Sequence, residues 1–496
     1  MRAAMHDDEA AADGVRRSTR LGSRLGPLVA SHAGRSGFRL LANGLDAFVA
    51  RAGLIELAER TLDLQYYIFH RDTTGEIIVD RLIAAADRGV RVRLLLDDWG
   101  TLEKQDAVVM ALDAHPNIEI RLFNPYVHRS GLARVVEMVT RFSRVNRRMH
   151  NKQLIADGSA VVLGGRNIGD EYFGLGELDF QDVDVLAGGP VVHESTVIFD
   201  AYWNSAFAKP AATLEATAPS DAWRDRQRQA LADRTRQQRA SPYARALAQS
   251  PLAQDLRAGR DVLVHWADAR LFADPPDKLA QPAGTRDPHY LGAHVAVAAR
   301  ATESELLIVS PYFVPGMTGV ATLHERRASG AAVSVLTNSL AATDVWLVHA
   351  GYRKYRKALL RDGVRLYELK ADARPSPAHH GLVGSSRASL HGKTFVFDRR
   401  SVFVGSMNLD ARSIEQNTED GLLIESPGLA GEVACLFERW TAAAVSYEVR
   451  LADGGRLEWV TTDGNREERF TTEPAAGLWR RVGAAACSYL PIDWLI

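Results

Sequence analysis

Hydrophobic and polar positions along the chain predict strands and helices that follow one another. Residues 62–69 form an apolar, aromatic-rich run typical of a strand, and residues 75–89 have the spacing of an amphipathic helix. Further buried strands are predicted at residues 90–96, 118–123 and 160–163. This alternation is typical of a layered α/β domain.

The second part of the chain repeats this order. The run at residues 306–313 matches the first strand, and a helix at 318–330 and a strand at 332–337 follow it. Residues 365–369 and 401–404 predict two more strands. Because one chain repeats the same order of elements, we expect an internal duplication with two similar α/β halves.

The segments around these halves have a different composition. The stretch 211–260 is rich in Arg, Gln, Asp and Ala, which predicts an exposed helical connection. The N-terminal residues lack the apolar centre of a secretory signal peptide and predict a poorly ordered lead-in, although a mis-assigned translation start is an open alternative. The predicted parts are a lead-in (1–36), a first half (37–210), a connection (211–260), a second half (261–445) and a C-terminal extension (446–496).

The overall composition excludes several classes of protein. The 496 residues are 46% hydrophobic and 24% charged, with a formal net charge of −1, so no whole-molecule field favours nucleic acid. Two cysteines, Cys435 and Cys487, exclude a disulfide framework and a four-cysteine zinc site. No apolar run of about 18 residues predicts a membrane-spanning helix.

Two copies of one short pattern of polar residues lie 241 positions apart, from His150 to His391. Each copy holds His-x-Lys, then an Asp, then a Gly-rich turn and an Asn. The members of the first copy are His150, Lys152, Asp157, Gly164, Gly165 and Asn167, and those of the second are His391, Lys393, Asp398, Gly405, Ser406 and Asn408. A single His-x-Lys would mean little, but two complete copies favour catalysis over a decayed duplicate.

The residue types in each copy suit chemistry on a phosphate. If the first motif lies on a strand, His150 and Lys152 point to the same side, and Asn167 can lie beside them after the next strand. A phosphodiester transition state spreads negative charge over its oxygens, and fixed donors aimed at those oxygens supply much of the rate. We therefore expect Asn167, Asn408 and Ser406 to bind the substrate phosphate.

The two histidines suit a two-step reaction. One imidazole can attack phosphorus and form a phosphohistidine. With an unperturbed pKa of about 6.5, the other can protonate the leaving alcohol and deprotonate the incoming one. We expect no metal and no cofactor, because two lysines and two asparagines would neutralise the charge.

With their spacing, the two motifs resemble those of the phospholipase D superfamily, over residues 40–445. The resemblance implies a duplicated α/β/α sandwich with one active site between the halves and a phosphatidyl-histidine intermediate. It also implies that the catalytic set is His150, Lys152, Asp157, His391, Lys393 and Asp398. The flanking segments resemble the bacterial cardiolipin synthase C-type branch, at residues 64–69, 146–152, 164–173, 343–345, 348–352 and 490–496.

In this superfamily an acidic residue downstream of each motif orients the reactive imidazole. Glu419 holds that position for His391. For His150 the candidate is Asp182, with Asp184 as the alternative.

Within the motifs themselves, Asp157 and Asp398 are expected to brace the strands. Gly165 stands where a hydroxyl residue is often present in the first copy, so the two halves of the site are unequal. The resemblance to the superfamily favours His150 as the nucleophile.

Basic residues before the first motif suggest contact with lipid. Arg134, Arg141 and Arg148 recur every seven residues, which would place them on one helix face against an anionic membrane surface. A core-packed helix with a solvated basic side explains them equally well. A second basic cluster at residues 353–357 could contact lipid too, and the apolar residues 490–496 are predicted to pack back on the domain.

The favoured function is a phosphatidyltransferase that forms cardiolipin from phosphatidylglycerol and a second phospholipid. The alternatives are a hydrolytic phospholipase D that releases phosphatidic acid, a nucleic-acid phosphodiesterase and a non-catalytic membrane-binding protein. The expected partners are phospholipid substrates and an anionic membrane surface, without nucleic acid, and an accessory protein is left open. The predicted location is peripheral, on the inner (cytoplasmic) membrane of a bacterium.

Overall fold

The computed structural model describes residues 18–489, with gaps at 101–111, 114, 129–135, 138–139, 177, 214–219, 240, 259, 283, 374–386 and 465. Strands and helices alternate along both halves, as the hydrophobic pattern predicts. The strands are β1 (Ser36–Leu41), β2 (Thr61–Tyr66), β3 (Arg91–Asp97), β4 (Ile118–Phe123), β5 (Gln153–Ala156), β6 (Ala160–Gly164), β7 (Leu178–Gln181), β8 (Asp184–Gly188), β9 (Ala208–Pro210), β10 (His265–Ala273), β11 (Glu305–Val309), β12 (Ala332–Asn338), β13 (Arg365–Leu369), β14 (Arg387–Leu390), β15 (Thr394–Phe397), β16 (Ser401–Gly405), β17 (Asp420–Glu425), β18 (Ser446–Leu451), β19 (Leu457–Asp463) and β20 (Arg466–Phe470).

The helices lie between these strands and on the faces of the sheet. The α-helices are α1 (Arg20–Ser31), α2 (Gly44–Leu57), α3 (Thr73–Asp87), α4 (Phe142–Val145), α5 (Pro190–Trp203), α6 (Asp221–Gln238), α7 (Pro242–Gln249), α8 (Pro251–Arg257), α9 (Leu291–Ala301), α10 (Gly316–Ala328), α11 (Trp346–Arg361), α12 (Ala411–Glu415), α13 (Pro427–Thr441) and α14 (Leu478–Cys487). Short 3₁₀ turns lie at Asp98–Gly100, Asp170–Tyr172, Ala211–Thr213, Pro276–Ala280 and Asp453–Gly455. In the described ranges, no helix is both long and apolar enough to cross a bilayer.

The order of strands confirms the internal duplication. In the first half the order is β9-β4-β3-β2-β5-β6-β8-β1, with β2, β3 and β4 parallel. The second half repeats it as β18-β13-β12-β11-β15-β16-β17-β10, with β11, β12 and β13 parallel. The corresponding strands β1 and β10 pair antiparallel, so one sheet runs through both halves.

Helices cover this sheet on two sides, which confirms the predicted α/β/α sandwich. Helices α5 and α13 lie between the halves, and their apolar side chains share one core with strands from both halves of the sheet. Helices α2 and α3 cover the outer side of the first half, and α9, α10 and α11 cover that of the second. The two motifs therefore meet inside a continuous, buried interface.

Three predicted parts differ in detail from the structure. Residues 20–36 are not a poorly ordered lead-in, because helix α1 buries Leu21 and Leu25 in the first core. Gly, Ser and Arg between these two leucines, and Pro27 after them, hide the i, i+4 pair in the sequence. Residues 1–17 lie outside the described part. The connection is helical, as predicted, but Tyr243 and Leu252 pack into the first core. Strand β18 pairs with β13, so the second sheet continues past residue 445.

Candidate active site

The two motifs lie at corresponding places in the two halves. His150 and Lys152 directly precede β5, and His391 and Lys393 directly precede β15. The first imidazole reaches the second motif, since His150 Nδ1 lies 3.1 Å from the backbone oxygen of Ser406. Both lysines are almost fully buried. The structure thus brings the two copies into one site.

Backbone pairing between the halves positions each histidine. Strand β14 pairs with β7 in parallel, and the His391 N–H donates to the Gln181 oxygen at 2.8 Å. On the other side Met149 forms a parallel bridge to Thr418, and the His150 N–H donates to the Thr418 oxygen at 2.8 Å. His391 therefore lies beside the residue that follows Gln181, and His150 lies beside the residue that follows Thr418. In each case the two residues come from opposite halves.

Those following residues are the two orienting acids, and they cross the interface. Glu419 Oε2 lies 2.8 Å from His150 Nδ1, and Asp182 Oδ2 lies 2.5 Å from His391 Nδ1. The predicted pairs, Glu419 with His391 and Asp182 with His150, are therefore wrong. Sequence distance suggested partners within one half, but the strand pairing between the halves decides the contact.

The alternative orienting acid, Asp184, has a structural role instead. Its Oδ2 lies 2.9 Å from Arg51 Nη1, and both side chains are fully buried. Its Oδ1 accepts the Arg166 N–H at 3.1 Å. Asp184 therefore holds the turn before Asn167 rather than an imidazole.

The hydrogen-bond partners of His150 define its neutral form. Both neighbours of Nδ1, the Ser406 carbonyl and the Glu419 carboxylate, are acceptors. Nδ1 must therefore carry the hydrogen, which leaves the Nε2 lone pair available. Burial, together with the positive charges of Lys152 and Lys393, holds the pKa of His150 well below its usual value. His150 is therefore suited to act as an uncharged nucleophile.

His391 has a more strongly ionised partner. Although burial favours the neutral acid, the charges of His391 and Lys393 hold the pKa of Asp182 well below its usual range. By contrast, burial raises the pKa of Glu419 to about 7, partly offset by Lys152 and by the Ser406 hydrogen bond. Burial and Lys393 lower the pKa of His391, while Asp182 opposes this change. Of the two imidazoles, His391 is the better placed to carry a proton.

The lysines belong to the same electrostatic system. Burial lowers the pKa of Lys152 to about 7 and that of Lys393 to about 8, although nearby acids partly offset the effect. Each ammonium group donates to the backbone oxygen of the histidine two residues before it. Lys393 Nζ also lies 3.0 Å from His391 Nδ1, but the shorter contact of that nitrogen is with Asp182. A bound phosphate, which is negatively charged, would favour the protonated form of both lysines.

The predicted phosphate-binding residues divide into two groups. Asn167 accepts the Ile68 N–H at 3.1 Å and donates to the Tyr172 hydroxyl at 2.9 Å, whereas Asn408 is buried and no described residue bonds its Oδ1. The Ser406 hydroxyl already has two hydrogen-bond partners within the protein, since it donates to Glu419 Oε2 at 2.5 Å and accepts the Asp420 N–H at 3.0 Å. The prediction that Ser406 binds phosphate is replaced by a role in holding Glu419.

Aromatic rings that the sequence reasoning missed surround the imidazoles. Tyr67 lies 5.0 Å from the His150 ring, between ring centroids. Tyr172 and Phe180 lie 5.1 and 5.0 Å from the His391 ring. Because β2 ends at Tyr66, Tyr67 leaves the sheet at the site, and only this strand boundary could have signalled it.

The basic residues predicted to face lipid divide into internal and exposed ones, with Arg141 and Lys357 among the exposed. Helix α4 ends at Val145, so the seven-residue spacing does not continue to Arg148, which is fully buried beside Asp97. Arg134 lies outside the described residues. In the second cluster Arg356 is buried and contacts Glu473 at 3.0 Å. The predicted lipid-facing roles of Arg148 and Arg356 are therefore wrong.

Two groups of His, Asp and Glu residues lie close enough together to hold a metal ion, within the described part of the chain. They are His70, Asp72 and Glu171, and His349, Glu368 and Glu473. The buried Arg356 already lies beside the carboxylates of the second group, since it contacts Glu473 and lies 3.5 Å from Glu368. Neither group includes a motif histidine.

The motif aspartates brace the strands, as predicted, and lie at the opposite end of β5 or β15 from the histidine. Asp157 accepts the N–H groups of Glu59, Arg60 and Thr61 at 2.8–3.2 Å. Asp398 accepts those of residues 303–305 in the same way. With φ angles of 52° and 53°, both occupy left-handed turn positions between paired strands. The implied place of Asp157 and Asp398 in the catalytic set is therefore replaced by this structural role, because their carboxylates are taken up by backbone N–H groups.

Asp157→Ala is expected to lower the free energy of unfolding by roughly 2–3 kcal/mol, because three N–H groups lose their acceptor and alanine disfavours a positive φ. Urea unfolding of the variant measures this loss. Asp233→Ala, on exposed helix α6, serves as the control and should stay within about 0.5 kcal/mol of the parent. Equal effects of the two variants would contradict the bracing role of Asp157.

Comparisons with known proteins agree with this geometry. A family model described as "Cardiolipin synthase, PLD-like domain" matches residues 52–203 and 296–441. The chain is 43% identical over 492 residues to cardiolipin synthase C of Escherichia coli strain K12, covering 96% of this chain and all of that protein. It is 32% identical to an uncharacterised protein of Helicobacter pylori strain ATCC 700392 / 26695, over 84% of this chain and 81% of that one.

The fold also matches a solved structure. The crystal structure of phosphatidylserine synthase from Haemophilus influenzae Rd KW20 superposes with a TM-score of 0.57, covering 86% of this chain and 91% of that chain. The two sequences are 14% identical, so this likeness concerns the fold alone.

Proposed function

The chain belongs to the family of cardiolipin synthases with phospholipase D-like domains, and we propose that it forms cardiolipin from phosphatidylglycerol and a second phospholipid. The observation that supports this proposal is the pair of crossed His–acid contacts, which unites both halves in one buried site. Such a site offers two imidazoles, of which His150 is suited to the neutral form and His391 is the better placed to carry a proton. These are the groups that a two-step transfer of a phosphatidyl group requires.

In the first step the Nε2 lone pair of His150 attacks the phosphorus of the donor phospholipid. The bond between phosphorus and the headgroup oxygen breaks, and the proton on His391 passes to that oxygen. Asp182 stabilises the protonated His391 before transfer, because it stays ionised at 2.5 Å from Nδ1. Lys152 and Lys393 stabilise the charge that develops on the phosphate oxygens.

In the second step the acceptor displaces His150. Neutral His391 takes the proton from a glycerol hydroxyl of phosphatidylglycerol, and the hydroxyl oxygen attacks phosphorus. The bond between phosphorus and His150 breaks, which releases cardiolipin and restores both imidazoles. Water in place of the lipid alcohol would release phosphatidic acid, so the burial of the site favours transfer.

Lipid product analysis tests the proposed function. The purified full chain is incubated with vesicles of phosphatidylglycerol, alone and mixed with phosphatidylethanolamine, and the lipids are identified by mass spectrometry. Cardiolipin should form with the parent chain and not with His150→Ala. Phosphatidic acid without cardiolipin in every mixture would overturn transferase activity in favour of hydrolysis.

We expect the protein to act as a peripheral enzyme at an anionic membrane surface, on the cytoplasmic face of a bacterial inner membrane. Its proposed substrates are membrane lipids. Fractionation of the native organism, with salt and carbonate washes of the membranes, would test this location.

kcat/KM should follow the charges of the two lysines as well as the proton on His391, because this parameter reports the ionisation of the free enzyme. Their pKa values of about 7 and about 8 mean that the site loses positive charge as the pH rises from 7 to 9. kcat/KM should therefore fall over that range. Lys393→Arg, which stays charged, should reduce the fall, and a flat profile to pH 9 in the parent would contradict this account.

A further inference from the structure

We propose that helix α14, together with Val345 and Trp346, docks the protein on a lipid bilayer beside the active site. This inference rests on the proposed function, since it names the surface through which a lipid enzyme meets its substrate. It concerns a helix near the end of the described chain. The basic segments suggested by the sequence are not needed for it.

The exposed face of α14 and the two residues after it form an apolar stripe. Trp479, Val482, Ala486 and Tyr489 follow one another at intervals of three, four and three residues, so a helical path aligns them. Their large side chains face outwards, with exposed fractions of 85% for Trp479, 51% for Val482 and 90% for Tyr489. Side chains of this size are seldom left in water together without a partner.

The opposite face of the helix fixes it to the second half. Ala484 is fully buried in a small core with Leu340 and Ala350, and Gly483 lies against the Trp346 ring. Arg480 donates to the backbone oxygen of Thr343. The helix is thus held on one side and presents its apolar stripe on the other.

The charge and composition around the stripe favour a lipid interface over water. Between residues 474 and 489 the chain contains two arginines, Arg480 and Arg481, and no acidic residue. An amphipathic helix with Trp, Leu and Val on one face and Arg at its border is typical of an interfacial helix on anionic lipid. Tryptophan and tyrosine favour the depth of the lipid headgroups.

The stripe is continuous with further apolar groups. Val345 and Trp346, at the start of α11, are 37% and 36% exposed, and Leu478 is 63% exposed. Residues 490–496, which are predicted to pack back on the domain, lie outside the described residues.

This surface borders the catalytic site. Asp344 lies between Thr343, which accepts from Arg480, and the exposed Val345; its carboxylate accepts the Tyr312 hydroxyl at 2.8 Å. In the same segment, Leu340 packs on Ala484 of α14, and Asn338 donates through its Nδ2 to the Leu390 oxygen at 2.9 Å, directly before His391. A bilayer resting on α14 would therefore lie next to the site that its lipids enter.

The experiment compares vesicle binding of two double variants of the full chain. Trp479→Ser with Val482→Ser removes the stripe, while Val297→Ser with Met317→Ser removes two exposed apolar residues from α9 and α10. Vesicles of phosphatidylglycerol and phosphatidylcholine are sedimented with each protein. The α14 variant should bind roughly tenfold more weakly or worse, and the control should bind like the parent, because only α14 transfers apolar side chains to lipid.

Two further readouts separate this inference from the proposed function. Hydrolysis of a water-soluble p-nitrophenyl phosphodiester should stay within about twofold of the parent, which shows that the variant is folded, and vesicle binding itself needs no turnover. Unchanged vesicle binding in the α14 variant would overturn the docking surface even if the enzyme makes cardiolipin. A parent dimer that the α14 variant converts to a monomer, with vesicle binding unchanged, would also overturn it and assign the stripe to self-association.

Discussion

His150→Ala is expected to abolish turnover of phospholipids, with a loss of roughly 10⁴-fold or more, because no covalent intermediate can form without the nucleophile. His391→Ala should lose a similar amount on phospholipids, whose alcohol leaving groups need a proton. The two variants should differ on a p-nitrophenyl phosphodiester, whose leaving group needs no acid. There His391→Ala should still release one equivalent of p-nitrophenol per site, and His150→Ala should release none.

The control for these variants is His324→Ala, which removes an exposed histidine far from either motif in sequence. It should stay within about twofold of the parent on both substrates. Equal bursts from His150→Ala and His391→Ala would contradict the assignment of different roles. A burst from His150→Ala alone would exchange the nucleophile and the acid.

The second large effect is expected from the crossed acids. Asp182→Asn should lower kcat by roughly 10²–10⁴-fold, since the amide no longer stabilises a protonated His391 in the correct orientation. Glu419→Gln should act in the same direction through His150. Because each acid lies in the opposite half from its histidine, the pair of effects tests the interface itself.

Histidine pKa values measured by NMR distinguish the crossed pairs from pairs within one half. Asp182→Asn should lower the pKa of His391 and leave that of His150 nearly unchanged, because removing a carboxylate destabilises the adjacent imidazolium. Glu419→Gln should leave the pKa of His391 nearly unchanged, because Glu419 contacts His150 and not His391. The matched control is Glu432→Gln, whose carboxylate contacts His265 at the surface at 2.9 Å and should leave both catalytic pKa values unchanged.

Features carried by local sequence could be predicted. The equal spacing of the two motifs and the repeated order of strands predicted an internal duplication, and the resemblance to the phospholipase D superfamily implied a sandwich with a shared site. The bracing of strands by Asp157 and Asp398 was also predicted, although the N–H groups that they accept lie at residues 59–61 and 303–305, at the starts of β2 and β11. These interactions connect residues that the motif or the strand order already relates.

Features that depend on contacts between distant segments could not be predicted. The acids exchange partners because β7 pairs with β14 and Met149 pairs with Thr418, and no local pattern encodes those registers. Arg148 looked like a surface residue because the helical spacing was extended three residues beyond the end of α4. Ser406 looked like a free donor because its bond to Glu419 forms only after folding.

The most direct test of the shared site is to trap the intermediate on His391→Ala. This variant is incubated with a p-nitrophenyl ester of phosphatidic acid, quenched at alkaline pH, digested and mapped by mass spectrometry. A phosphatidyl group should be found on His150, because that imidazole still attacks while the missing His391 slows release. A modification at any other residue, or none after a measured p-nitrophenol burst, would contradict a reaction in which the first motif attacks and the second motif transfers the proton.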